Sequence, residues 1–213
     1  MTRRTPAQYD WTRALFTDRR LTKHFTHPRR SKITHVTLHH MTIQSSGTDA
    51  SNSAALEGCY KTWQNREASA NYGVAGDQVW QFVSDNDAPW SDASSSSNHS
   101  TLSIEHANST AGPKWEIAAK TMETGQRLVA TLHRLYGLGR PTRKTVRVHR
   151  DFYATSCPGP YMMARLDEYI AAAGRFYDDA VAPTNPTPIP HEPTPETPMP
   201  AKPCVFNFLG LNI

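Results

Sequence analysis

A chain of 213 residues that is 38% hydrophobic and 20% charged is long enough to bury a core and has the balance of a globular domain with extensions. No apolar run approaches the ~20 residues a membrane helix needs, and the opening MTRRTPAQYDWTRALF has no apolar segment of a secretory signal, so we expect a protein made in the cytoplasm without membrane insertion. The net charge of +4 is uneven, with nine Lys/Arg against Asp10 and Asp18 in residues 1 to 32, and 14 basic against 17 acidic residues beyond.

Residues 1–30 therefore read as a basic N-terminal extension, either solvated and wrapped around the domain or docked on an anionic polymer. No aromatic stacking pattern or recognition helix accompanies the charge, which argues against nucleic acid. Next, ITHVTLHHM (33–41) alternates Val36, Leu38 and His40 with His35, Thr37, His39 and Met41, the period of a strand. SNSAALEGCYKTWQN (51–65) sets Ala55, Leu56, Cys59, Tyr60 and Trp63 on one helical stripe, with Ser51 or Ser53 as its cap. NYGVAGDQVWQFV (71–83) reads as a hairpin turning at Gly76 and Asp77. SDASSSSNHS (91–100) reads as a polar flexible loop, solvated or edging a groove. STLSIEHA (100–107) alternates Leu102 and Ile104 with Ser103 and Glu105, a further strand. Residues 113–139 predict one long amphipathic helix with Ala118, Met122, Val129, Leu132 and Tyr136 on its stripe. KTVRVH (144–149) is the last strand and 159–177 the last helix.

The order βαβββαβα predicts an α/β fold: a single domain over residues 31–178 with a central mixed β-sheet flanked by helices, followed by a Pro-rich tail. Residues 179–203 form a Pro/Thr-rich linker that holds nine of the sixteen prolines, an extended spacer by composition. The tail CVFNFLGLNI (204–213) is too short to fold alone and reads as the remnant or start of a further module.

His39 and His40 lie at the end of the first strand and His149 at the end of the last, so they meet only if those strands are close in the sheet. Cys157 returns to the same edge eight residues later, with Asp151 and Arg150 placed to fix the intervening loop and Pro158 and Gly159 to turn it. Two imidazoles and a thiolate are donors that zinc prefers, and three protein ligands leave a fourth position for water. Neighbouring strand residues point to opposite faces, and His40 shares the apolar face, so His39 is the better ligand and His40 a supporting or core histidine. A thiol nucleophile at Cys157 with His149 as its base is a competing reading. Cys59, on an apolar stripe, reads as a small buried hydrophobe and Cys204 as a free thiol; three scattered cysteines make no disulfide framework and fit a reducing compartment.

In that order, VTLHHMT, SANYGVAGDQVWQFV, APWSDASSSSNHSTLSIEHAN and HRDFYATSCPGP resemble the four signature segments of the zinc-dependent N-acetylmuramoyl-L-alanine amidases. This is the amidase-2 family, which includes phage endolysins and peptidoglycan recognition proteins. The resemblance spans residues 33–172. It implies Zn2+ as cofactor, His39, His149 and Cys157 as its ligands, and Glu105 as the acidic catalytic residue. The implied activity is hydrolysis, by zinc-activated water, of the amide between N-acetylmuramic acid and L-alanine, and the implied type is a phage or prophage endolysin acting on the bacterial wall after holin-mediated release. Bacterial peptidoglycan would be the partner, its muramyl peptide stem contacted by His40, Asn71, Tyr72, Trp90 and Asn108. The basic extension keeps its two readings, solvated around the domain or docked on anionic wall polymers, and the linker would tether a wall-binding module.

The chain departs from many relatives at Ala70, where they carry tyrosine, at Ser91, where they carry histidine, and at Thr155, where they carry lysine. Thr155 is the variant similar to recognition-protein amidases, and its catalytic role would be to donate a hydrogen bond to the tetrahedral oxyanion. The alternative function is a non-catalytic peptidoglycan-binding protein of the same fold, against which Cys157 and Glu105 argue, because binding alone needs neither.

Overall fold

Alternating apolar residues in short runs, separated by helical stripes, produce the following elements in a computed structural model that describes residues 13–179. They are β1 (Leu15–Asp18), β2 (Phe25–Thr26), β3 (His35–Gln44), α1 (Asp49–Asn65), β4 (Tyr72–Ala75), β5 (Gln78–Gln81), β6 (Ala88–Pro89) and α2 (Ser95–Ser100). There follow β7 (Thr101–Asn108), α3 (Ala119–Leu135), β8 (Val146–Val148), α4 (Gly159–Ala164) and α5 (Leu166–Asp179), with a 3-10 turn at His149–Asp151. Expectations placed on Arg3 and Arg4, on the linker from residue 180 and on the tail with Cys204 lie outside the described residues.

Six strands form one mixed sheet in the order β1-β5-β4-β7-β3-β8. β4, β7, β3 and β8 run parallel, β5 is antiparallel to β4, and β1 runs parallel to β5. β2 and β6 pair as a separate antiparallel ribbon. The predicted α/β architecture is therefore the observed one.

The alternation seen in the sequence decides what each face meets. Val36, Leu38, Leu102, Ile104, Val146 and Val148 turn to one side, where Leu128 and Leu132 of α3 and Tyr169 and Ile170 of α5 cover them. On the other side Ala55, Leu56, Cys59 and Trp63 of α1 pack with Met41, Phe82 and Ala107. The close approach of α1 depends on Gly73, where a Cβ would stand 2.7 Å from Phe82, 2.8 Å from Leu56 and 2.9 Å from Met41. A missing side chain in mid-strand is what lets the helix settle on the sheet. The cap of α1 is Thr48, whose hydroxyl accepts from the Ser51 amide, rather than Ser51 or Ser53.

Four expectations are corrected. The stretch before residue 31 is not simply an extension: it supplies β1 at the sheet edge, β2 of the ribbon, and the buried Leu21. Its charges are partly used internally, since Arg19 pairs with Glu57 at 3.2 Å, Arg20 pairs with Asp18, and Arg29 donates to the carbonyls of Asp85, Asp87 and Asn98. Strands this short carry too few alternating residues to stand out from a basic segment.

The helix expected over 113–139 begins only at Ala119, because residues 109–118 bond as a loop. Ser109 N donates to Glu116 O at 2.7 Å and Glu116 N to Thr110 Oγ1 at 2.9 Å. That loop seats Ile117 in the core. The helix expected over 159–177 is divided at Arg165 into α4 and α5. The loop expected over 91–100 contains α2, capped by Ser94, whose hydroxyl accepts from Ser97 N.

Candidate metal centre

The parallel neighbours of β3 assemble the centre. Leu38 pairs with Val148, so His149 leaves β8 level with His39, and on the other side His39 pairs directly with Glu105 of β7. His39 and Glu105 thus sit side by side on the face away from Val36 and Leu38, and His149 follows β8 as the first residue of the 3-10 turn. The His39 and His149 ring centroids are 4.7 Å apart. Cys157 Sγ lies 3.6 Å from His39 Nδ1, and one donor atom each from His39, His149 and Cys157 falls within 4.8 Å of the others.

The loop that returns Cys157 is braced along its length. Asp151 accepts from Arg143 at 2.7 and 2.8 Å, from Arg147 at 2.8 Å and from the Val148 amide at 3.1 Å. Arg150 Nη2 donates to Ser156 O at 3.0 Å, and Cys157 N donates to Thr155 Oγ1 at 3.2 Å. Gly159 then turns with φ +83°, and a Cβ there would stand 3.1 Å from the His40 ring. A left-handed residue packed this closely must be glycine.

Charge and burial are in tension here. Burial lowers the basicity of His39, but the Cys157 sulfur and the Asp92 carboxylate outweigh it and hold His39 well above the ordinary histidine value. His149 is pushed down to about 4 by burial and by His39. Burial raises Glu105 above the usual carboxylate range, against the opposing charges of His39 and Arg66. Asp92 is held at about 2, because hydrogen bonds from His39, Ser97 and Ser91, with the His39 charge, outweigh the effect of its burial.

The donor set fits a cation. His149 Nε2 and Glu105 Oε2 are both buried without a hydrogen-bond partner, an arrangement that costs free energy unless something satisfies it. Two imidazoles and a thiol converging on one point, one of the rings with an unsatisfied nitrogen, suit a divalent ion of borderline softness.

The other residues expected to touch substrate divide. Asn71 and Tyr72 are fully buried. Asn71 donates to the carbonyls of Val83 and Ser84 and accepts from Ser103 N, and the Tyr72 hydroxyl donates to Asp85 at 2.7 Å. Asn108 is buried too, accepting from Thr42 N at 3.0 Å and donating to Trp115 O at 2.9 Å. All three are corrected to scaffold residues, since their polar groups are consumed inside the protein. His40 is 7% exposed, lies edge-on to Trp115 at 5.5 Å, and keeps Nδ1 without a hydrogen-bond partner.

Trp90 stays 37% exposed, steadied by its Nε1–H donating to Thr26 Oγ1 at 2.9 Å and by His24 at 5.8 Å. Ala70 is buried, and Ser91 donates to Asp92 Oδ1 at 2.8 Å.

Two residues escaped the sequence reading. Asp92 accepts from His39 Nε2 at 3.1 Å, and the one signal for it was an isolated acid in a serine-rich stretch. Tyr153 is 56% exposed, with its ring 6.3 Å from that of His149 and nearly parallel to it; an aromatic in a polar loop gave no hint of that placement.

The sequence profile of one family, described as N-acetylmuramoyl-L-alanine amidase, matches residues 29–160. Among curated proteins none matches the chain. The fold is similar to the catalytic domain of XlyA, at 19% identity and a TM-score of 0.57 over 74% of this chain and 99% of that one. It is also similar to a mutant endolysin from Bacillus subtilis, at 19% identity and a TM-score of 0.57 over 75% and 100%. A third likeness is to the hydrolase AmiA of Staphylococcus aureus in complex with its ligand, at 14% identity and a TM-score of 0.57 over 81% and 91%. Identities this low establish a shared fold, whereas the family match covers the strands and the loop that carry His39, Glu105, His149 and Cys157. The chain belongs to the N-acetylmuramoyl-L-alanine amidase family.

Proposed function

We propose that this protein hydrolyses the amide bond between N-acetylmuramic acid and L-alanine in peptidoglycan, with zinc held by His39, His149 and Cys157. The observation that carries the reading is that His39 of β3 pairs with Glu105 of β7, while His149, the first residue after β8, and Cys157 bring their donor atoms to within 4.8 Å of that of His39. Zinc at such a site supplies a Lewis acid that polarises a carbonyl and brings the pKa of water toward neutrality. Glu105 pairs in register with His39 on the same sheet face and has an unpartnered oxygen and a raised proton affinity. It is suited to take a proton from the attacking water and deliver it to the amide nitrogen, which leaves only as a protonated amine.

Thr155 Oγ1 accepts from the Cys157 amide, so its own O–H stays free to donate to the oxyanion of the tetrahedral state. Trp90 and Tyr153 are exposed aromatic surfaces for the muramyl peptide. The exposed cations Lys23, Arg30 and Lys32 are those an anionic wall polymer would meet.

The likeness to an endolysin fold supports a lytic role at the bacterial wall. Among the described residues no helix is long and apolar enough to cross a membrane.

Purified walls treated with the protein are expected to release new alanine N-termini without new reducing sugar ends, and the release should stop on chelation and resume with added zinc. Reducing ends would mean a glycosidase instead. Activity that survives chelation but not thiol alkylation would transfer the chemistry to Cys157 as nucleophile.

A further inference from the structure

The serine-rich stretch before β7 delivers a carboxylate to the back of His39. Asp92 Oδ1 lies 3.1 Å from His39 Nε2, and the side chain of Asp92 has no exposed surface. The carboxylate is itself held on both oxygens: Oδ1 accepts from Ser91 Oγ at 2.8 Å, and Oδ2 accepts from Thr37 Oγ1 at 3.0 Å and from Ser97 Oγ. Its amide donates to Asn98 Oδ1 at 2.9 Å. These donors come from β3, from α2 and from the segment between them, so neither the carboxylate nor the ring it touches is free to rotate.

A neutral imidazole carries one N–H, and an ionised carboxylate only accepts. Once a cation displaces the second ring proton, the proton that His39 keeps belongs on Nε2 beside Asp92, and the lone pair falls on Nδ1, the atom that faces Cys157 Sγ at 3.6 Å. Among the described residues, the ion-pair partner of Asp92 is His39 and no lysine or arginine. A dication held by one thiolate keeps a residual positive charge, which this carboxylate would neutralise through the ring.

We propose that Asp92 is a positioning residue of the metal centre, fixing the tautomer and orientation of His39 so that Nδ1 binds the cation. This rests on the zinc site proposed above. It also accounts for the helical turn within residues 91–100, since α2 brings the Ser97 hydroxyl to Asp92.

The test uses the full-length protein and zinc alone, with affinity measured by competition against a chromophoric chelator. Asp92→Asn presents an amide N–H to the ring and favours the opposite tautomer. It should weaken zinc binding about 10- to 100-fold. In the zinc-loaded wild type, a long-range proton–nitrogen spectrum should place the His39 proton on Nε2. Wild-type zinc affinity in Asp92→Asn, or a His39 proton on Nδ1, would overturn the proposal.

Should Asp92→Asn not fold, Ser91→Ala decides, because it removes one hydroxyl from Oδ1 and keeps the carboxylate. It is expected to lower zinc affinity about threefold, within the worth of one hydrogen bond, in a protein that a cooperative thermal transition shows to be folded without metal; unchanged affinity overturns the idea. A wild type that binds no zinc overturns the site and Asp92's role together, whereas a zinc-binding wild type with an unaffected Asp92→Asn overturns Asp92's role alone.

Discussion

Glu105 is the residue on which chemistry and stability pull in opposite directions. Its side chain is driven by burial to keep a proton longer than an ordinary carboxylate, and one of its oxygens has no partner inside the protein. A group selected for packing alone would have been paired or replaced by an apolar side chain. Glu105→Ala should retain bound zinc while losing about 10²- to 10⁴-fold in turnover, the usual span for a positioned acid or base. Zinc content and wall-digestion rate, measured on the same preparation, check both halves. Cys157→Ser differs in kind: it should lose zinc and activity together, because the hydroxyl is a far weaker ligand than the thiolate. At this scale the donor types were legible, since strand alternation already separates His39 from His40. Asp92 was not, because its partner is 53 residues away.

Among the elements, β3 does the most to create the site, because its two parallel neighbours each contribute to it. The 149–158 loop owes its shape to Asp151, which takes hydrogen bonds from two arginines and an amide. On the α1 side the same sheet face depends on Gly73, which pairs in register with Glu105. Gly73→Ala would set a Cβ within 2.7 to 2.9 Å of Phe82, Leu56 and Met41, so α1 must lift or its side chains must leave their rotamers. Overpacking of this sort costs about 1–3 kcal/mol. Denaturant titration should show that loss as a lower midpoint with an unchanged slope. Helix and strand periodicity revealed which segments would be elements, yet the stop at Ala119 and the division at Arg165 depend on hydrogen bonds made by flanking loops.

For the molecule as a whole, acid is the expected weakness on the side of the sheet away from the metal. His106 is fully buried, with Nδ1 against the His39 carbonyl at 2.9 Å and Nε2 against the Tyr169 hydroxyl at 3.0 Å. Burial pushes it down to about 4, so the folded protein keeps it neutral while the unfolded chain takes up a proton near pH 6.5. Between those values the unfolded state binds more protons, and stability is lost as pH falls from about 6.5 to about 4. By linkage His106 accounts for about 3 kcal/mol of that loss. The stability gap between wild type and His106→Gln, which can still bridge the carbonyl and the hydroxyl, should therefore narrow by that amount from pH 7 to pH 4. A gap independent of pH would show that His106 does not titrate this way.

The sequence by itself determined the faces and the donors: Val36, Leu38, Leu102 and Ile104 inward, His39 and Glu105 on the opposite side, His149 and Cys157 flanking one loop. It could do so because side-chain direction follows from local period. The tertiary structure decided that β3 lies between β7 and β8, that Cys157 comes to within 3.6 Å of a histidine 118 residues away, that residues before 31 supply an edge strand, and that Asn71, Tyr72 and Asn108 are internal struts. Those outcomes depend on which distant hydrogen-bonding groups meet when the sheet closes, and no local pattern carries that information.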